Sequence, residues 1–165
     1  HLGPTVVRLD EPRYPLHVNL RVGTVMSVFN TITGRVFAAY LPEKMVRTML
    51  EDEHRRVVGG ASANFDAPEI QRLLAEIRAT GMGRGLSTPQ PGVNTLCAPV
   101  FDADGHIALV ITLFGPQGVF DAEIDGPTAR GLAAHHRPAA ARARRKRVAA
   151  PWVSGRVLSH CITFD

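Results

Sequence analysis

The stretch GVNTLCAPVFDADGHIALVITLFGP, residues 92–116, decides the fold of this chain. Two apolar, β-branched runs flank Asp102-Ala103-Asp104-Gly105. Aspartate side chains can cap a tight turn, and glycine can take the left-handed conformation that closes it, so this pattern predicts an antiparallel hairpin. Neither face of the first strand carries a charge, which is typical of a central strand covered on both sides. Inside the second strand Thr112 is the only polar residue.

Shorter patterns on either side of the hairpin predict the other elements. Alternating or β-branched runs predict strands over residues 5–9, over 16–29 with a break near Gly23, and over 84–87. Helical signals predict helices over residues 33–41, from Pro42 to about 50, from Asp66 as cap to Gly81 as stop, and over 120–134 with an interruption at Gly126-Pro127. Residues 51–65 are polar and rich in glycine, so a loop is expected there.

The composition is that of one globular domain with a hydrophobic core. The chain has 165 residues, of which 45% are hydrophobic and 21% are charged. It has no apolar run of about 18 residues and no secretory leader pattern, so a cytoplasmic protein without a membrane span is expected. Because the first residue is His1 rather than Met, we expect a fragment of a longer chain.

The charge is concentrated at the end of the chain. Residues 1–136 hold 12 Lys/Arg and 14 Asp/Glu, a net charge of −2, whereas residues 137–165 hold 7 Lys/Arg and one Asp, a net charge of +6. We therefore divide the chain into a domain over 1–136 and a basic, irregular tail over 137–165. The run RARRKR, residues 142–147, lacks aromatic residues, which favours a solvated tail over a nucleic-acid site.

Two pairs of threonines are candidates for ligand binding. Thr31 and Thr33 lie at a helix start, where unpaired amides and a partial positive charge could hold an anion. The alternative is that they only cap a buried helix. Thr95 and Thr112 lie inside apolar strands, where their hydroxyls either face a cavity or bond to neighbouring backbone. The sequence alone favours the structural alternative for both pairs.

Catalytic and metal chemistry have little support. No acidic or basic residue lies on the strand of Cys97, which favours a buried, inert thiol over a nucleophile. The histidines show no spacing that would place two metal ligands on one helix face. Paired carboxylates, a phosphate-binding loop and a nucleophile elbow are all missing, so neither an enzyme nor a cofactor is expected.

The order of these motifs resembles a known family. A strand, NTITGRVFAAYLPE, amphipathic helices, the APVFDADG hairpin ending at Gly115-Pro116, and FDAEIDGPTARGLA are together similar to the C-terminal effector-binding domain of IclR-type transcriptional regulators. The resemblance covers residues 4–134. It implies a GAF-like α+β domain with a central antiparallel sheet flanked by helices. Related domains end in a longer amphipathic helix, so residues beyond about 134 are expected not to be the family's own ending.

The resemblance also implies partners and a site. The partners would be a small-molecule effector, a second or further copy in a homodimer or tetramer, and DNA through an N-terminal winged helix-turn-helix domain absent from this chain. Some members carry small or hydroxyl residues where this chain has Ile32 and Phe114, which favours an aromatic or larger carboxylic acid as effector. The candidate effector-binding residues are Thr31, Ile32, Thr33, Gly34, Ser87, Thr95, Cys97, Thr112 and Phe114.

One structural condition and two alternatives accompany this hypothesis. Thr95, Thr112 and Phe114 share one face only if the hairpin shifts phase by one residue, as a bulge at Gly105 would do. The alternatives are a GAF-like enzyme or redox sensor that uses Cys97, and a dimerisation module whose core has no cavity.

Overall fold

The computed structural model describes residues 3–10, 20–56 and 64–133, and the backbone of residues 158–164. Its strands form one sheet, and its helices cover the two faces of that sheet. In chain order they are β1 (Pro4–Asp10), α1 (Ile32–Tyr40), α2 (Glu43–Arg56), α3 (Pro68–Thr80), β2 (Gly83–Leu86), β3 (Val93–Phe101), β4 (Ile107–Pro116), α4 (Pro127–Ala133) and β5 (Leu158–Phe164).

The sheet is antiparallel, with strand order β1-β5-β4-β3-β2. The predicted hairpin forms its centre. The Asp102 carboxylate accepts hydrogen bonds from the amides of Asp104 and His106, both at 2.9 Å, and Gly105 has a φ of +84°. This confirms the turn chemistry read from the sequence, because the aspartate bonds its own backbone while glycine supplies the left-handed residue.

Each face of the sheet has its own core. Helices α1, α2 and α3 pack on one face, where Phe37, Met49 and Leu74 are fully buried and contact the cluster that includes Cys97 and Val110. Helix α4 covers the other face, where residues from the opposite side of the same strands meet it. That second cluster contains Met82, Leu96, Ala98, Phe120, Ala122, Ala129 and Leu132. The α+β, GAF-like class predicted from the sequence is confirmed.

Helix α3 begins one residue later than predicted. Its N-cap is Ala67, without a side-chain cap, and Pro68 holds the first position with its fixed φ. The Asp66 carboxylate instead binds Arg47, with oxygen–nitrogen distances of 2.6 and 3.0 Å. The predicted stop is confirmed: Gly81 has a φ of +71° and its amide donates to the Ile77 carbonyl.

Helix α2 is longer than predicted. Residues 51–56 are helical rather than part of a loop, while residues 57–63 lie outside the described part. Their polarity belongs to a solvated helix face on which Arg55 pairs with Asp52. Glu53 turns inward and accepts the Val28 amide at 3.0 Å, which links the last turns of α2 to the loop before α1.

The strands predicted over 16–29 are absent from residues 20–29; residues 11–19 lie outside the described part. A turn at residues 21–24 places Val25 beside Thr5 in a single isolated bridge. The Val6 amide donates to the Thr24 carbonyl at 2.9 Å, and the Gly23 amide donates to the Val6 carbonyl at 2.8 Å. The described part of this segment, residues 20–29, therefore runs beside β1 without forming a further strand of the sheet.

The end of the chain also differs from expectation. Residues 120–126 are irregular, with a turn at 124–125, and within the described residues only Pro127–Ala133 of the predicted closing helix is helical. The prediction of an irregular tail over 137–165 is wrong for Leu158–Phe164, because this segment forms β5 between β1 and β4. Residues 137–157 lie outside the described part, so the rest of that prediction stays untested. None of the described helices combines the length and hydropathy that a membrane span needs.

Candidate functional site

The hairpin register gathers four of the nine candidate residues on one face. Thr95 pairs with Phe114 and Cys97 with Thr112, and cross-strand partners point to the same side of a sheet. The required phase shift is present, because Val100 pairs with Leu109 but Phe101 pairs with Ile107. The extra residue is therefore Ala108 rather than Gly105, and the bulge turns the polar positions of both strands toward α1.

Helix α1 crosses this face and adds a fifth candidate. The Thr33 hydroxyl lies 2.9 Å from the Thr112 hydroxyl and 3.7 Å from Cys97 Sγ, and the Thr112 hydroxyl donates to Cys97 Sγ at 3.4 Å. Thr33 and Thr112 are 2% exposed and Cys97 is completely buried. We call these three side chains the hydroxyl–thiol ring.

Proton counting fixes part of the direction of the ring. Each of the three groups has one proton to donate. Because Thr112 donates to Cys97, Thr33 is the donor to Thr112. On the third side Thr33 Oγ1 and Cys97 Sγ lie 3.7 Å apart, and either atom can donate there. The three groups bond to one another, so the ring is a structural contact rather than an open site for a ligand.

The Cys97 thiol is protonated because of its burial. Burial raises the pKa of Cys97 to about 11, although its bonds with Thr112 and Thr33 act in the opposite direction. At neutral pH the sulfur therefore keeps its proton and can serve as a weak donor. A thiolate nucleophile or redox centre at Cys97 is correspondingly disfavoured.

Thr95 lies on the same face but in a different environment. Its side chain is only partly buried, and among the described residues no hydrogen bond reaches its hydroxyl. Its neighbours across the sheet are Gly85, which has no side chain, and Phe114, which is 4% exposed and packs with Val93 and Leu20. A hydroxyl with no partner in the described part of the chain therefore lies beside the Phe114 ring on the sheet.

The start of α1 is partly used by its own structure. Thr31 is the N-cap: its hydroxyl accepts the Gly34 amide at 3.0 Å and donates to the Ser27 carbonyl at 2.7 Å. A side chain at Gly34 would meet the Ser27 carbonyl oxygen at 2.2 Å, so the preceding loop covers this turn. Within the described residues, no acceptor contacts the amides of Ile32 and Thr33. These two amides therefore remain as donors for the predicted anion site.

Ile32 connects the helix start with the edge of the sheet. A Cβ at Gly83 or Gly85 would lie 2.9 or 2.8 Å from Ile32 side-chain carbons. The two glycines of β2 therefore make room for this side chain, which packs over Gly85 next to Thr95.

The Ser87 loop lies near the end of the same strand. Ser87 has a φ of +52°; its amide donates to Asn94 Oδ1 at 3.1 Å, and its hydroxyl accepts the Gly92 amide at 2.7 Å. Asn94, which is not among the residues predicted from the sequence, is 8% exposed and fixes this turn from β3. Its signal was a buried polar residue within an apolar strand. Ser87 is held mainly by local structure, with its own proton still to donate.

The group closest to a metal site among the described residues is Asp102, Asp104 and His106 in the hairpin turn. Asp102 already accepts two backbone amides there, and the other two residues are exposed. The two amides of the turn explain the position of the Asp102 carboxylate, so this group of residues gives no evidence for a bound ion.

The chain is similar to proteins of known family and structure. The family model described as bacterial transcriptional regulator IclR C-terminal matches residues 5–136. HmgR of Pseudomonas aeruginosa superposes with a TM-score of 0.67 at 38% sequence identity, over 80% of this chain and 51% of that one. No curated protein matches the chain.

More distant solved structures share the fold. IclR of Thermotoga maritima has a TM-score of 0.61 at 19% identity, over 82% of this chain and 59% of that one. The repressor BlcR of Agobacterium tumefaciens has a TM-score of 0.53 at 19% identity, over 72% and 48% of the two chains. The chain thus spans only about half the length of these regulators.

Proposed function

The chain belongs to the IclR family of bacterial transcriptional regulators, and we propose that it is the sensor domain of one, binding a small organic acid with an apolar or aromatic body. The family is one of regulators rather than enzymes. The observation that carries the proposal is the free Thr95 hydroxyl between Phe114 and the glycine-lined edge of the sheet.

We call the Thr95 site the surface formed by Thr95, Phe114, the Ile32 side chain and the free amides of Ile32 and Thr33. Its polar groups are few and its walls are apolar, which is the usual make-up of a small-molecule site. The two amides at a helix start suit one carboxylate, and Phe114 suits an aromatic body. The hydroxyl–thiol ring takes no part, because its three groups bond to one another.

Binding at the Thr95 site would couple two parts of the fold. The ligand would touch the start of α1 and the central hairpin at once, so it would favour the arrangement in which they lie closest. In the full-length regulator this change would alter operator binding by an N-terminal winged helix-turn-helix domain. A homodimer or tetramer is proposed as well, because two-fold operators need two DNA-binding domains.

A thermal-shift panel tests the proposal. The chain is heated with benzoate, phenylacetate, 3-phenylpropionate or pyruvate, and an effector at about a hundred times its Kd should stabilise the fold by about 2.7 kcal/mol. Phe114→Ser should weaken the aromatic acids more than pyruvate, since it removes the aromatic wall only. If Phe114→Ser leaves the aromatic acids unaffected, Phe114 does not line the site.

Two measurements address the partners. Sedimentation at tens of micromolar should show a dimer or larger species, and a monomer alone would count against the assembly. This chain by itself should show no sequence-selective DNA binding, because its described helices pack within the domain and residues 1–136 are net negative. Any binding through the basic tail should fade steeply with salt.

A further inference from the structure

Arg35 on α1 has no acidic partner among the described residues. Two arginines of the described part are only partly exposed, Arg35 and Arg47. Arg47 is held by Glu43 and Asp66, at 2.7 and 2.6 Å, and its pKa is raised by them. Arg35 makes no ion pair with any described residue, and burial lowers its pKa. Guanidinium stays charged in proteins, so this half-buried charge has no opposite charge beside it in the described part.

The orientation of Arg35 is fixed by one hydrogen bond. Its Nε donates to the Phe29 carbonyl at 2.7 Å, in the loop that precedes α1. Both terminal nitrogens remain without a partner among the described residues. These nitrogens form the fork that binds a planar carboxylate through two parallel bonds. A single backbone acceptor therefore holds the side chain and leaves its recognition edge available.

Arg35 lines a cleft at the open edge of the sheet. The cleft has a volume of about 230 Å³ and lies between α1, α3 and the outer strand β2. Its apolar walls include Ile32, Leu73, Ile77 and Met82. This volume is below the range of about 300–1,000 Å³ for drug-sized ligands, so only a small molecule fits. We call it the edge cleft.

Two other charged residues line the edge cleft. Arg84 is already engaged, because it donates to Glu123 at 3.2 Å. Glu76 also lines the cleft and forms no ion pair with Arg35. A carboxylate ligand would meet attraction from Arg35 and repulsion from Glu76, so these two residues give predictions of opposite sign.

We propose that the edge cleft is a second binding site, separate from the Thr95 site, for a small monocarboxylic acid whose carboxylate pairs with Arg35 and whose apolar body lies against Ile32, Leu73 and Ile77. Ile32 lies between the two sites: it lines the edge cleft and packs over Gly85 beside Thr95. The edge cleft stands on its own observations and does not require the Thr95 site to bind an effector.

The test uses the whole chain with benzoate as probe, and NMR titration of backbone and arginine Nε–H signals to obtain Kd. Benzamide has the same shape without the charge, and inorganic phosphate has the charge without the apolar body. Benzoate should shift Arg35 and α3 signals and bind at least about tenfold more tightly than either control, as a charge-assisted bond contributes. Equal binding of benzamide or of phosphate would overturn the proposal.

Three variants test the charged residues of the edge cleft. Arg35→Gln should weaken benzoate at least about tenfold. Arg78→Gln is the matched control, because exposed Arg78 also donates its Nε to a carbonyl, that of Ala39 at 2.7 Å, but does not line the cleft; it should change nothing. Glu76→Gln should strengthen benzoate a few-fold. Weaker binding in Glu76→Gln would contradict the proposal even if Arg35→Gln failed to fold.

A last pair of variants distinguishes the two sites. Thr95→Val and Phe114→Ser should leave benzoate binding at the edge cleft unchanged. If these variants abolish all benzoate binding while Arg35→Gln has no effect, the edge cleft is not a site and the Thr95 site stands. If benzoate binds through Arg35 and no acid responds to Phe114→Ser, the reverse holds.

Discussion

Thr112 and Thr95 lie on the same face of the same hairpin, yet their hydroxyls have different surroundings. Thr112 is 2% exposed and its hydroxyl bonds to both Thr33 and Cys97, whereas Thr95 is partly buried and its hydroxyl bonds to no described residue. The first hydroxyl links α1 to the sheet, and the second has no such partner in the described part. The same residue type in the same hairpin therefore has different surroundings according to which α1 side chain lies above it.

The largest expected loss of stability comes from a substitution at the start of α1. Gly34→Ala would place a methyl group 2.2 Å from the Ser27 carbonyl oxygen and 2.5 Å from that of Val28, so α1 must move away from its loop. We expect a loss of about 3 kcal/mol or more in the free energy of unfolding, measured with urea. Gly131→Ala is the control, since no atom of the described residues lies within 4 Å of its added Cβ. It should be neutral or stabilise by up to about 1 kcal/mol. Equal losses in both variants would contradict the tight packing at Gly34.

The next effect is a pH dependence of stability to which the ring contributes through Cys97. The pKa of Cys97 is about 11 in the fold against an ordinary 9.0, so the unfolded chain loses this proton first. The stabilisation is complete below pH 9.0 and is lost as the pH rises to about 11. The two-unit difference amounts to about 3 kcal/mol, at about 1.4 kcal/mol per unit.

Cys97→Ala isolates this contribution from that of other alkaline groups. Urea unfolding is measured below pH 9.0 and near pH 11 for both proteins. The wild-type chain should lose more stability over this interval than the variant does. Identical losses would mean that Cys97 is not a buried, protonated member of the ring.

A smaller change in stability distinguishes Thr112 from Thr95. Thr112→Val removes the central hydroxyl of the ring and should cost about 1–3 kcal/mol, whereas Thr95→Val should stay within about 0.5 kcal/mol. In a double-mutant cycle, Thr33→Val and Thr112→Val should show a coupling of about 1 kcal/mol. Additive effects would show that the two hydroxyls do not bond.

The sequence predicted the hairpin because its signal is local. Asp102 and Gly105 carry the turn in four consecutive residues, and the apolar runs on either side carry the strands. The helix start at Thr31 and the stop at Gly81 were readable for the same reason. Such features depend on residues a few positions apart, so composition and spacing suffice.

The parts that were missed depend on contacts between distant residues. Thr33 meets Cys97 and Thr112 across 64 and 79 positions, and no spacing rule shows that the three would satisfy one another. The sequence required a phase shift in the hairpin, but its spacing did not place the extra residue at Ala108. The strand β5 pairs with β1 and β4 and has no local signal for either partner.

The central claim is that a small acid binds at Thr95 and not at the hydroxyl–thiol ring. NMR of the chain with 13C-labelled threonine methyl groups tests it, using the acid from the panel that raises the melting temperature most. On titration, the Thr95 methyl signal should shift with the ligand's Kd, while the Thr112 signal stays close to its ligand-free position. A shift at Thr112 with an unchanged Thr95 signal would contradict the claim, because the ligand would then have opened the ring.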